Sequence, residues 1–183
     1  MTRSDMTPIT VVCLVGYSNS GKTLLMEALI AELKARAYRV AAVKHATHGH
    51  QVGHPGKDSS RMLAAGADTV FMSSPDQATV IRRVAAELSL DDVLASLGSG
   101  YDIVLVEGYK ESLAPKIVVL REGETAPEDA DLRRLLATFV PEVGPNGALR
   151  LSPGSVRDLV ELVETAAVDG RASYTPGTVA GMS

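Results

Sequence analysis

Residues 9–15 (ITVVCLV) form an unbroken apolar run rich in β-branched side chains, the pattern of a strand buried on both faces. After a short polar stretch, Leu25, Leu29 and Leu33 recur every fourth position, which predicts a helix over 23–37 with one buried stripe. A second strand is expected over 39–43. Residues 45–57 break the pattern: four of them are glycine or proline, and no period survives. This reads as a loop of about a dozen residues, a length usually reserved for function or disorder. The spacing then predicts a short helix over 58–65, entered by Asp58 or Ser59 and closed by Gly66. Strands are expected over 68–73 and 78–82, a helix over 90–97 between Ser89 and Gly98, and strands over 102–106, 116–120 and 135–140. A closing helix follows over 156–167.

Short apolar runs alternating with helical patterns define an α/β protein with a mostly parallel sheet flanked by helices. The expectation is one nucleotide-binding domain over 1–168 and a flexible tail over 169–183, small, polar and punctuated by Gly and Pro. A formal charge of −4 argues against a general nucleic-acid binder, which needs a basic face. No apolar run approaches the roughly 20 residues of a membrane helix, and the opening MTRSDMTPIT lacks the apolar core of a secretory signal. Cys13 is the sole cysteine and lies inside the first strand, so it reads as a buried, inert thiol. The cytoplasm is the expected compartment.

The segment GYSNSGKT (Gly16, Tyr17, Ser18, Asn19, Ser20, Gly21, Lys22, Thr23) matches G-x-x-x-x-G-K-[ST] between the first strand and the first helix. The two glycines let the backbone turn tightly and approach phosphate oxygens where a Cβ would collide. Main-chain amides from this loop through Leu24 point inward as an anion cradle. Lys22 supplies a mobile positive charge for the terminal phosphates, and the Thr23 hydroxyl is placed to bind Mg²⁺. The three-layer P-loop NTPase fold follows from this loop in this context.

Ligands in such sheets gather beyond the carboxyl ends of the strands. In YDIVLVEG, Asp102 opens a strand and Glu107 closes it, about 16 Å apart at 3.3 Å per residue. Only Glu107 can reach the phosphates, where it would hold Mg²⁺ or polarise an attacking water; otherwise it is a solvated strand end. Asp102 reads as a strand-start residue without chemistry. Lys44 ends the second strand at the same edge. All four histidines, His45, His48, His50 and His54, fall in the loop that follows. Such density suits a transition metal or an anionic ligand, although the spacing fits no closed zinc motif; otherwise it is a plain solvated loop. Lys57 is a further candidate for phosphate. Asp58 is either a third Mg²⁺ ligand, with Thr23 and Glu107, or a plain helix cap.

Taken in order, GYSNSGKT, VKH (43–45), PGKDS (55–59), AGAD (65–68), LVEGYK (105–110) and PKIVVLR (115–121) resemble the molybdopterin-guanine dinucleotide biosynthesis protein B family. The resemblance covers roughly residues 9–121. It implies a homodimeric GTP- and Mg²⁺-binding protein with weak hydrolysis. Its implied role is to assist the guanylyltransferase that attaches GMP to molybdopterin, by supplying nucleotide or by handling the molybdopterin. Two departures matter. Gly49, Gln51 and Gly53 stand where the family is acidic, which implies poor hydrolysis. Thr138 and Phe139 stand where the family has Ser-Asp, an Asp suited to pairing with guanine, so guanine preference rests on the likeness alone.

Two other readings remain at this point. A nucleotide-driven metallochaperone would use the histidine loop, but the usual Cys-His pair or long His-rich tail is missing. A small-molecule kinase would need arginines over the γ phosphate. Arg61, Arg82 and Arg83 are candidates without a recognisable lid pattern.

Overall fold

The computed structural model describes residues 9–46 and 58–176. In chain order these residues form β1 (Ile9–Val15), α1 (Lys22–Ala35), β2 (Val40–Lys44), α2 (Asp58–Ala64), β3 (Thr69–Ser73), β4 (Ala78–Arg82) and α3 (Leu90–Leu97). They continue with β5 (Ile103–Glu107), β6 (Lys116–Val119), β7 (Leu135–Phe139), β8 (Glu142–Val143), β9 (Leu149–Arg150), α4 (Pro153–Val168) and β10 (Ser173–Tyr174). Two compact units result, one holding the chain through His45 and again from Leu90 onward, the other Ala46–Ser89.

The first unit is a sheet of order β2-β5-β1-β6-β7, all neighbours parallel. Side chains alternate along β1 and build a core on each face. Val12 and Leu14 pack with Leu25, Leu29 and Leu33 of α1 and Val160 and Val163 of α4. Val11, Cys13 and Val15 pack with Leu90 and Leu94 of α3. This is the three-layer α/β arrangement expected of the sequence, with β1 buried on both faces. Cys13 is fully buried, and burial pushes its thiol up to about 11, so it is inert as expected.

Residues 169–176 do not form the flexible tail expected from the composition. β6 pairs with β1 only from Cys13 onward, which leaves the opening residues of β1 without a neighbour on that side. β10 fills this slot antiparallel, with Ile9 opposite Tyr174 and Thr10 opposite Ser173. The Val11 amide donates to the Ala172 carbonyl at 3.0 Å, and Ala172 is fully buried. The Arg134 guanidinium donates to the Arg171 and Ser173 carbonyls at 2.9 and 2.6 Å. Unmet backbone groups on a central strand outweigh the local preference for disorder.

In the second unit, α2 precedes an antiparallel hairpin of β3 and β4 rather than two further strands of a parallel sheet. Phe71 and Val80 face each other across it and are both exposed. A third sheet, the pairing of β8 with β9 in the first unit, was not legible in the pattern because each strand has two residues. No helix among the described residues is long and apolar enough to cross a membrane.

Asp102 has the structural role expected of it. Its carboxylate accepts from the Arg39 backbone amide at 2.7 Å and from the Arg39 guanidinium at 2.7 and 3.2 Å, tying the start of β2 to that of β5. These Arg39 hydrogen bonds hold its carboxyl at about 2, below the ordinary 3.8. A depressed carboxyl stabilises the fold above its ordinary pKa, and that contribution is lost as pH falls through the folded value. Asp102→Asn should therefore melt below the wild type at neutral pH, with the gap closing as pH falls from about 4 to about 2. A gap independent of pH in thermal melts would contradict this.

Candidate functional site

The carboxyl ends of β1, β5 and β2 come out side by side, because Leu14 pairs with Glu107 and Lys44 pairs with Glu107 in the two parallel ladders. The chain leaves β1 through Gly16, whose φ is +151°. A Cβ there would lie 2.1 Å from the Val119 carbonyl oxygen, so the turn requires glycine. Tyr17, Ser18 and Asn19 are exposed, and Asn19 takes a left-handed φ of 59°. Gly21, also left-handed, opens α1, and among the described residues no side chain caps that helix end. The first amides of an α-helix lack intrahelical partners, so α1 directs free N–H groups and its positive dipole end into the loop. A cleft of about 610 Å³ lies here, lined by Ser18, Asn19 and Gly21 to Leu24 together with Lys44, Glu107, Arg121 and Leu149.

Of the expected site residues within the first unit, Ser18, Asn19, Gly21 to Leu24, Lys44 and Glu107 line this cleft, while Gly16, Tyr17 and Ser20 do not. The Thr23 hydroxyl donates to Glu107 Oε2 at 2.9 Å. Lys44 Nζ lies 3.2 and 3.3 Å from the two Glu107 oxygens and 3.5 Å from Thr23 Oγ1. Lys22 Nζ donates to the Tyr17 carbonyl at 2.6 Å, folded back over its own loop. Burial lowers the Lys22 pKa, and Lys44 adds to the fall; Glu107 opposes it. Ser20 is buried beneath the loop, and its Oγ has no hydrogen-bond partner.

Thr23 and Glu107 form a hard-oxygen pair separated by 2.9 Å. That is the spacing of adjacent corners in an octahedron with bonds of about 2.1 Å, so the pair suits Mg²⁺. The third expected ligand, Asp58, begins α2 in the second unit, where it faces Arg61 at 3.5 Å. Lys57, His48, His50 and His54 lie outside the described residues. His45 stacks on Tyr109 with ring centroids 4.2 Å apart, and the Tyr109 amide donates to its Nδ1 at 3.5 Å. Among the described residues, no group of three or more His, Cys, Asp or Glu is disposed to hold a metal ion. Of the arginines weighed as a kinase lid, Arg61 pairs with Asp58, and Arg83 donates to the Leu63 carbonyl within the same unit.

Arg121 was missed as a site residue. It follows β6, and its guanidinium donates to the Asn19 carbonyl through Nε at 3.1 Å and a terminal nitrogen at 2.9 Å. It thereby braces the left-handed residue at the loop's apex. Its sequence signal was its place just beyond an apolar strand running parallel to β1. The β8–β9 hairpin supplies another wall: a Cβ on Gly21 would come within 3.0 Å of Pro141 and 3.1 Å of Leu149.

The architecture and the placement of this loop are those of a P-loop NTPase-like α/β fold. Residues 11–140 match the family described as molybdopterin guanine dinucleotide synthesis protein B. A molybdopterin-guanine dinucleotide biosynthesis adapter protein of Haemophilus influenzae is 40% identical over 120 residues, spanning 65% of this chain and 67% of that protein. Its Escherichia coli counterpart is 34% identical over 144 residues, spanning 76% and 82%. A crystal structure of a molybdopterin-guanine biosynthesis protein B superposes with a TM-score of 0.65 at 30% identity, covering 85% of this chain and 98% of that one. The chain belongs to this family.

Gly16→Ala should destabilise the protein by about 2 kcal/mol or more, since the new methyl meets backbone rather than a movable side chain. Urea unfolding of the full chain checks this; a stability within about 0.5 kcal/mol of wild type would contradict the turn described here.

Proposed function

We propose that the chain is a GTP-binding accessory protein of molybdopterin guanine dinucleotide formation, working in the cytoplasm. In this reading it acts as a homodimer beside the guanylyltransferase that joins GMP to molybdopterin, and it hydrolyses GTP slowly or not at all. The observation that carries the nucleotide reading is the convergence of Thr23, Lys44 and Glu107 on one cleft that Lys22 and the start of α1 also line. The adapter role is supported by the names of the relatives.

The chain's own residues suffice for binding. The amides of residues 17–24 and the amino end of α1 receive phosphate oxygens. Lys22 releases the Tyr17 carbonyl and turns its ammonium toward the terminal phosphates; its partial desolvation strengthens that contact. Thr23 and Glu107 would hold Mg²⁺, which neutralises phosphate charge when bound. Arg121 keeps the loop's apex in place from the side. At the end of β7, Thr138 and Phe139 offer no carboxylate to a guanine, so base selection is the weakest part of the binding. The exposed Phe71 and Val80 of the β3–β4 hairpin are apolar surface available for self-association.

Titration with Mg–GTP and Mg–ATP tests the reading. Lys22→Ala should weaken triphosphate binding by about a hundredfold or more, the scale of losing a charged partner in a desolvated site. Its thermal melt should stay close to wild type, because Lys22 contacts only its own loop. Wild-type affinity in this variant would overturn the assignment. Glu107→Gln should lower hydrolysis by about tenfold or more with a smaller loss of binding; equal turnover would return Glu107 to a plain strand end. Addition of the protein to guanylyltransferase, molybdopterin and Mg–GTP should raise the rate of dinucleotide formation, and an unchanged rate would contradict the accessory role.

A further inference from the structure

The contact between Lys44 and Glu107 is more than a surface ion pair. Glu107 is nearly enclosed, with a side chain only 13% exposed, while that of Lys44 is 56% exposed. A carboxylate withdrawn from water at a strand end requires a counter-charge. Lys22 does not contact it, because its ammonium is held 2.6 Å from the Tyr17 carbonyl. Lys44 Nζ instead sits against both Glu107 oxygens and Thr23 Oγ1 at once. These are the oxygens suited to Mg²⁺. The register explains why: Lys44 and Glu107 are paired residues of adjacent parallel strands, so their side chains leave the same edge in the same direction.

We propose that Lys44 is a resident counter-cation that occupies the divalent-metal position until a triphosphate arrives. With the loop empty it keeps Glu107 and Thr23 together and repels free metal ions. When Mg–triphosphate enters, the metal's two charges replace the single charge of the ammonium. The long, mostly exposed side chain then swings away and its ammonium meets phosphate oxygen. The proposal rests on reading the Gly16–Thr23 loop as a phosphate cradle, and it adds an order of events: metal is admitted with nucleotide rather than before it. Removing Lys44 must therefore act with opposite signs on two ligands. It admits metal to the empty site, and it weakens triphosphate in the absence of metal. Loss of a merely structural contact would not produce that pair of effects.

The test measures Mn²⁺ binding to the nucleotide-free full chain, by electron paramagnetic resonance of free Mn²⁺, and GTP binding in EDTA. Lys44→Met should bind Mn²⁺ about tenfold or more tightly than wild type, as expected for removing one positive charge beside a site in partly screened surroundings. Lys44→Gln should do the same, and Lys44→Arg should stay within about threefold of wild type, because the charge is conserved. The gain should vanish when Glu107→Gln is added. In EDTA, Lys44→Met should bind GTP more weakly than wild type. Mn²⁺ binding by Lys44→Met no tighter than wild type overturns the proposal, as does a gain that survives Glu107→Gln. If the wild type takes up GTP normally and Lys44→Met gains no metal, the inference fails while the nucleotide reading stands. If the wild type takes up no triphosphate and the metal gain is present, Lys44 still screens Glu107 from metal, but the exchange on nucleotide entry is overturned together with the nucleotide reading.

Discussion

The parallel register of β2, β5 and β1 is the constraint from which the site follows. Because Glu107 is paired with Lys44 on one side and Leu14 on the other, the carboxylate, the ammonium and the exit of β1 reach the sheet edge at one level. α1 begins seven residues beyond the end of β1, so its first turn brings Thr23 within 2.9 Å of Glu107. A shift of one residue in the β2–β5 ladder would send Lys44 to the opposite face and leave Glu107 enclosed without a cation. That register is held from the far end of the same strands, where Arg39 and Asp102 lock β2 and β5 together at their starts. Asp102 and Glu107 thus stand at the two ends of one strand, the first in a structural role.

Lys22 rests on the Tyr17 carbonyl and Lys44 on Glu107, so both ammonium groups have acceptors before any ligand enters. In the proposed reading a polyphosphate competes with these contacts by supplying stronger, charge-assisted ones. Arg121 differs from the lysines in that it binds the loop's own backbone. It therefore holds the loop's geometry independently of either lysine.

Much of this was legible in the chain. The continuous β-branched run of β1 and the bounds of β4 and α3 were read as found, because period and punctuation agree there. The turn itself was legible for a stronger reason: glycine at 16 and 21 takes the positive φ that the sequence pattern required. Glu107 was separable from Asp102 by strand length alone. The remainder was set by contacts distant in sequence. β10 forms because β6 joins β1 late, and nothing in residues 169–176 announces a vacancy beside residue 9. The pairing of β3 with β4 depends on their antiparallel register, which alternation along either strand does not specify. Arg121 reaches a residue 102 positions away. The buried ammonium of Lys116 was hidden although its acceptors are local in sequence. It enters the core at the start of β6 and is satisfied by the carbonyls of Ser112 and Ala114.

The most direct measurement is a crystal structure of the full chain grown with Mg²⁺ and a non-hydrolysable GTP analogue. The account predicts the β and γ phosphates within the ring of amides from residues 17–24, with Lys22 turned off the Tyr17 carbonyl and onto phosphate. It also predicts the metal beside Thr23 and Glu107, with Lys44 displaced. A saturated crystal showing that loop empty, or the polyphosphate bound elsewhere with Lys22 still on Tyr17, would contradict it.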